Sequence, residues 1–447
     1  MSPIHTLSFL IALSASSAAM ATSSAYNEPL HGLSAQEKQT FYLGESLFER
    51  FWVPSPSSTT ASDGLGPLFN ARSCHSCHIN SGRGHAPKTG QLGSQVPSFF
   101  VRLGRIKPED PKSIVGDPVY GRQFHPLSST NVSPEGDYTL DWEMSLVTLE
   151  DGTQVELRKP ILHWQQLNYG SFDKNTGFSL RVSPPLVGMG LLDAVPESVI
   201  LQYADEDDAD KDGISGKPNW VIRNGQQVLG RFGHKAHIPS LDEQNQSAFN
   251  GDLGLSTPLF TNPSGDCTPA QVDCLNAPNG NSPHIDNLEV GTEQMAMVDT
   301  YVALSQPPAM RNLSESWFLD GKKIFDTLEC GSCHRPKLTT GPAKFKALAH
   351  RDFYPFTDLL LHDLGPELQN GFPVVNASPQ EWRTAPLWGI GLSEQVSGRN
   401  GFLHDGRART IEEAILWHGG EAELSRNRYK SLDAKQRALF IRFLESL

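Results

Sequence analysis

Apolar positions recur at helical spacing in three stretches of this chain, and turn-forming or polar residues fill most of the remainder. Ser34 to Trp52 carries Phe41, Leu47, Phe48 and Phe51 on one face. Ser34 with Glu37 three residues on predicts a capping box at its start. Asp433 to Leu447 repeats the spacing with Leu439, Phe440, Phe443, Leu444 and Leu447. Thr410 to His418 reads as a third helix, with Thr410 as its cap and Glu412 and Glu413 in the first turn, where acid complements the helix dipole. A short helix started by proline is predicted over Pro196 to Ala204. Alternation of period two reads as short strands at Phe99 to Leu103 and Gln154 to Arg158. Residues 256–290, rich in Pro, Asn and Gly, read as a surface excursion.

One pattern occurs twice. Phe41-Tyr42-Leu43-Gly44-Glu45-Ser46-Leu47-Phe48 and Trp317-Phe318-Leu319-Asp320-Gly321-Lys322-Lys323-Ile324-Phe325 share an aromatic–Gly–x–x–aliphatic–Phe order. Each precedes a cysteine pair closed by histidine, Cys74-His75-Ser76-Cys77-His78 and Cys330-Gly331-Ser332-Cys333-His334. That spacing suits covalent haem c: each thiol adds across one vinyl group, and the next residue offers imidazole to the iron from the same turn. A redox dithiol does not need the histidine, and zinc needs a second closing pair of ligands. The duplication implies two cytochrome c-like units. The expected fold is therefore mainly α, with irregular, partly β insertions. Residues 22–306 form an N-terminal haem unit with a long insertion, residues 307–447 a C-terminal one, and the boundary falls near Pro307-Pro308.

A net charge of −13 over 447 residues argues against nucleic acid as a partner and leaves room for a basic electron-transfer protein. Residues 1–21, with an apolar run from Leu7 to Ala15 and the small-x-small site Ala19-Met20-Ala21, read as a secretory signal. No later stretch is apolar for long enough to span a bilayer. The expected place is the periplasm. There the remaining cysteines, Cys267 and Cys274, read as a disulfide pinning a loop. In the acidic segment Asp205 to Gly216, Asp208, Asp210 and Asp212 at alternate positions before Gly213 resemble the first half of a calcium loop, with Asn219 where the last acid is expected.

Trp382-Arg383-Thr384-Ala385-Pro386-Leu387, His404-Asp405-Gly406-Arg407 and Ile411-Glu412-Glu413-Ala414-Ile415 resemble the C-terminal half of bacterial di-haem cytochrome c peroxidases, and of the related enzyme that forms tryptophan tryptophylquinone. The resemblance implies that the distal ligand of the C-terminal haem stands near the end of this last helix. Those families have Met or Tyr there, and this chain has His418, implying a bis-His, low-potential haem with His404 and His362 as the other candidates. His362, in Thr357 to Gly365, is read as supporting. Gly66 to Arg72, Arg181 to Leu186, Gly188 to Leu192, Gly230 to Ala236 and His418 to Ala422 extend the resemblance to the di-haem c-type oxidoreductases of peroxidase type, which usually have Trp where His234 stands. By this resemblance the haem of His78 is the reactive one, and a calcium lies between the haems.

The distal residue at that reactive haem is open. Tyr203 follows Leu192-Asp193 as His418 follows His404-Asp405, and Glu197, Asp193 and His85 are further acid–base candidates. Trp220, Trp382 and Trp388 are candidate relays or packing aromatics. The implied activity passes electrons from a small soluble donor, of cytochrome c or cupredoxin type, through the C-terminal haem to peroxide or another substrate. The competing readings are a non-enzymatic carrier and an oxidase of residues on a partner protein.

Overall fold

The computed structural model describes residues 23–107, 110–129 and 131–447, so the expected signal segment lies outside the described residues. The elements that position the site are, in chain order, α1 (Ala35–Glu49), β1 (Phe99–Lys107), β2 (Asp110–Val115), β3 (Asp137–Thr148), β4 (Gln154–Gln165), β5 (Gly177–Val182), α2 (Leu241–Leu253), α3 (Thr292–Leu304), α4 (Ser316–Thr327), α5 (Ile411–Trp417) and α6 (Ala434–Glu445). The chain is about 30% helix and 20% strand, which overturns the mainly α expectation in favour of a mixed fold with many small sheets.

The helices nearest the two cysteine motifs obey one packing rule. The predicted box caps α1: the Glu37 amide donates to Ser34 Oγ (3.2 Å) and the Ser34 amide to the Glu37 carboxylate (2.7 Å). The helix ends at Glu49, so Phe51 is exposed rather than on the apolar face, while Trp52 is buried. α1 crosses α3 where Gly44 lies against the Met297 carbonyl and Tyr301 Cβ. α4 crosses α6 where Gly321 lies against the Leu439 carbonyl and Phe443 Cβ. In each crossing the absence of a side chain lets two helix backbones touch. The matched aromatics then flank the contact. Phe41 and Phe48 sit 5.0 and 5.1 Å from the Tyr301 ring, and Phe318 and Phe325 sit 5.1 and 5.7 Å from Phe443.

The long connection between the motifs supplies the strand content. β1 is the centre of an antiparallel sheet ordered β2–β1–β5, with Phe99 opposite Val182 and Leu103 opposite Phe178. Its core face packs Phe99, Val101 and Leu103 with Tyr120, Phe124, Tyr138 and Leu140. β3 and β4, twelve residues each, form a hairpin in register from Asp137↔Gln165 to Thr148↔Gln154. Outside its base the ribbon is largely exposed on both faces, so no burial alternation marks its sequence. Its tip crosses to the other motif's side of the molecule. Leu149 and Leu157 join the core of Phe325, Leu416, Tyr429 and Phe440, and Asp151 pairs with Arg437 at 2.8 Å. Arg158 donates to the carbonyls of Gly406 and Arg407. Cys267 and Cys274 are disulfide-bonded, with Cα atoms 6.0 Å apart, in a small cluster with Leu68 and Val132.

Candidate functional site

A single internal cavity of about 640 Å³ is lined by both cysteine motifs. Cys74–Cys77 form one helical turn capped by Ser73, whose Oγ accepts the Ser76 amide (3.1 Å), and the His78 amide closes the turn on the Cys74 carbonyl (3.0 Å). The His334 amide closes the second motif on the Cys330 carbonyl in the same way (2.9 Å). All four motif cysteines are free thiols. Burial pushes Cys74 and Cys330 up to about 12, which keeps both as thiols rather than as an activated dithiol. Among the described residues, the acidic and metal-ligating side chains gathered closely enough to share one ion are Asp205, Asp208 and Asp210, not these cysteines.

Three cavity imidazoles share one hydrogen-bond arrangement. Nδ1 of His78 faces the Pro184 carbonyl (2.8 Å), that of His334 the Phe356 carbonyl (2.9 Å) and that of His418 the Ala414 carbonyl (2.7 Å). A carbonyl only accepts, so each Nδ1 carries the proton and each Nε2 keeps its lone pair, the orientation that metal-binding histidines adopt. Burial pushes His78 and His334 down to about 4, keeping both neutral, the state that binds metal. After the opposing Phe356 bond, His334 is also lowered by the imidazole of His418, which lines the same cavity. For His78 the imidazole whose field is felt is His75, in its own turn. His418 caps α5, held there by Thr410 accepting the Glu413 amide (3.1 Å) at the other end.

The cavity wall between the motifs is cationic. Arg83, Arg181, Lys235 and Arg383 all line it, and among the described residues none forms an ion pair with a carboxylate. Burial pushes Arg83 and Arg383 down to about 10, Arg181 to about 9 and Lys235 to about 6. Arg181 Nη1 is buried with no hydrogen-bond partner, while Lys235 Nζ donates to the carbonyls of Ser378, Pro379 and Glu381. Trp382 sits among them: His404 stacks on its ring at 3.7 Å, and Lys235 and Arg181 lie 3.7 and 4.5 Å from the ring centre. Four thiols, three lone-pair imidazoles, apolar walls and unpaired buried cations fit two haems, whose propionates would neutralise the cations.

This chain matches the family described as "Di-haem oxidoreductase, putative peroxidase" over residues 14–109 and 125–447. It belongs to that family. No curated protein matches it. A hydrazine synthase chain from Kuenenia stuttgartiensis, solved under 20 bar xenon, is similar at 12% identity. The match covers 100% of this chain and 98% of that one with a TM-score of 0.28, a likeness that carries no argument.

Several residues expected to serve this di-haem oxidoreductase lie elsewhere. Tyr203, Glu197 and His85 do not line the cavity. Tyr203 lies under Arg335, beside the second motif rather than over the first (4.9 Å). Glu197 is in the first turn of a short helix, Asp193 accepts the Leu241 amide that starts α2, and His85 Nε2 is held by the Ser397 carbonyl (2.7 Å). Trp220 is also off the cavity, whereas Trp382, Trp388, His234 and His404 line it. In the acidic segment, Asp212 accepts the Ile214 amide, and Asp205 takes its place beside Asp208 and Asp210, with oxygens within 4.8 Å of one another. These supply three of the six or more oxygens that calcium takes.

One group was missed in the sequence, and His362, read there as supporting, gains its partners. On α2, Leu241, Gln244, Asn245, Ala248 and Asp252 line the cavity, a surface that offers amides and one carboxylate but no imidazole. Behind it Asn245 Nδ2 donates to Asp299 (2.7 Å), whose carboxyl is pushed up to about 7 by burial and then by neighbouring Asp242. Around Cys333, His362 is clamped between Asp358 (2.9 Å) and Glu421 (2.7 Å).

Proposed function

We propose that this family member is an exported, periplasmic c-type di-haem enzyme that reduces peroxide at its N-terminal site with electrons received through its C-terminal site. The observation that supports the reading is one cavity lined by both thiol–imidazole motifs and by His418, whose Nδ1 bond to the Ala414 carbonyl leaves Nε2 with its lone pair. When bound, haem iron supplies one-electron transfer and, where an axial position is open, cleavage of the peroxide bond.

The chain's own residues do the rest. Cys74, Cys77, Cys330 and Cys333 would hold the two groups as thioethers, with His78 and His334 offering imidazole to them from the same turns. His418, whose Nε2 keeps its lone pair, would be a further imidazole ligand for the group at the C-terminal site, which would then serve electron transfer alone. The α2 face offers the cavity no imidazole, and the Asp242–Asp299 pair keeps a proton near neutral pH behind Asn245, where peroxide reduction consumes protons. Arg181 and its neighbours anchor propionates. The units expected at 22–306 and 307–447 each carry one site, and a small soluble redox protein is the donor.

The test is low-temperature EPR of the ferric protein with and without hydrogen peroxide, after haem staining of a denaturing gel. One bis-His low-spin signal with a second, high-spin signal that changes with peroxide supports the reading. Two low-spin signals that peroxide leaves unchanged in both the ferric and half-reduced protein would make it a carrier instead.

A further inference from the structure

Beside the second cysteine motif lies a charged cluster to which the proposed reaction gives no role. His362 is buried against Cys333, with Nδ1 3.6 Å from Sγ. Its Nε2 meets Asp358 Oδ2 at 2.9 Å and its Nδ1 meets Glu421 Oε2 at 2.7 Å. Glu421 is fully engaged as an acceptor. Ser215 Oγ (2.6 Å) and the Asp363 amide (3.0 Å) donate to Oε1, and the Ser215 amide (3.1 Å) to Oε2. Asp358, buried completely, takes the Leu360 amide on its other oxygen (2.9 Å). Oxygens that accept this many donors belong to ionised carboxylates, and an imidazole that donates from both nitrogens is an imidazolium. The cluster therefore holds one positive and two negative charges in a water-poor site next to an attachment sulfur, where charges act over longer range than in water.

We propose that Asp358, His362 and Glu421 are positioning residues that set the reduction potential of the C-terminal haem site, His362 raising it as a fixed cation and the two carboxylates lowering it. The inference rests on the proposed attachment of haem at Cys330 and Cys333. Reduction adds one electron to the iron, and no bond in the cluster changes. A cation nearby favours that added charge and an anion opposes it. Loss of His362 leaves a net charge of about −2 in place of −1, and loss of either carboxylate charge leaves about 0, counting each ionised group as one unit.

The experiment is a spectroelectrochemical titration at pH 8 of holoprotein carrying His362→Gln, Glu421→Gln, Asp358→Asn or Ser215→Ala. Haem stain on a denaturing gel and the bis-His EPR signal check attachment and ligation separately, so loss of those would count against the proposed function rather than this inference. The expected result is a C-terminal couple that moves down in His362→Gln and up in both carboxylate variants. Ser215→Ala, which loosens the same contacts without changing charge, leaves it in place, and the N-terminal couple stays put throughout. A merely structural cluster would let water in and move every variant downward. Shifts of one sign, or no shift in Glu421→Gln and Asp358→Asn, overturn the proposal. If His362→Gln fails to mature, the carboxylate pair and Ser215→Ala still decide it.

Discussion

Three helical glycines give a graded test of the crossings that carry the two motifs. A Cβ on Gly44 would overlap the Met297 carbonyl oxygen and come within 2.7 Å of its carbon and 2.9 Å of Tyr301 Cβ. A Cβ on Gly321 would overlap Phe443 Cβ and lie 2.9 Å from the Leu439 carbonyl oxygen. Ordinary contact begins near 3.5 Å, so alanine at either place pushes two helices apart along buried aromatic seams. Overpacking of this kind costs about 1–3 kcal/mol, and the better helix propensity of alanine returns about 1 kcal/mol. At Gly44 the obstacle is a backbone carbonyl on a fixed helix, so the cost lies at the upper end and the net loss is about 2 kcal/mol. At Gly321 the nearest atom is a side-chain carbon that can shift, and the net loss is about 1 kcal/mol. Gly251 in α2 has nothing within 4 Å of a built Cβ, so there alanine should stabilise by about 0.5–1 kcal/mol. Denaturant midpoints of the three holoproteins, read by far-ultraviolet dichroism, should fall in the order Gly251→Ala, wild type, Gly321→Ala, Gly44→Ala. A Gly44→Ala protein as stable as wild type would refute the claim that backbone contact fixes this crossing.

His418→Met should abolish the bis-His low-spin signal and raise the C-terminal potential; an unchanged spectrum would remove His418 from the ligand set. Asp299→Asn should erase a transition near pH 7 from the kcat/KM profile for peroxide while leaving haem content intact, since burial pushes that carboxyl up to about 7. Buried His125 is opposed by burial yet held up at about 9 by Glu135, against an ordinary value of 6.5. Its folded pKa is raised, so the stability it contributes is full below pH 6.5 and is lost as pH rises through 9. Glu135→Gln should cost about 3–5 kcal/mol at pH 6 in urea unfolding and flatten that dependence, because it leaves a buried cation unpaired.

What could be read in the sequence was what is local. Capping at Ser34, the ends of α5 and α6, the thiol–imidazole turns and the matched Gly44 and Gly321 all depend on residues within a few positions. The duplication misled where it was extended too far. It holds for the crossing helices, but the insertion has no counterpart in the C-terminal part, and counting across it placed Tyr203 over the wrong motif. Of the β3–β4 ribbon only Gln154 to Arg158 was read as strand; the rest escaped because its residues are held by pairing along the strands and by distant partners such as Arg437, not by an alternating buried face. Arg181, Lys235, Asp299 and the Asp358–His362–Glu421 cluster gain their meaning from neighbours more than fifty residues away in most cases, which spacing does not reveal. Asp205 was missed in the acidic turn because a turn, not alternation, brings its carboxylate to Asp208 and Asp210.

The reach of the β3–β4 tip bears on how the chain matures. Leu149 and Leu157 find their neighbours in residues 318–447, and Tyr26, at the other end, donates its hydroxyl hydrogen bond to the Gly389 carbonyl (2.6 Å). As the chain emerges in order, Leu149 and Leu157 must wait with apolar surface uncovered until α6 has arrived. A fragment beginning at residue 307 would lack Leu149 and Leu157 and would leave the second motif's core open where they pack. Loading of that site is thereby tied to completion of the whole chain, so a truncated product should be sticky and poorly haemylated rather than a working half.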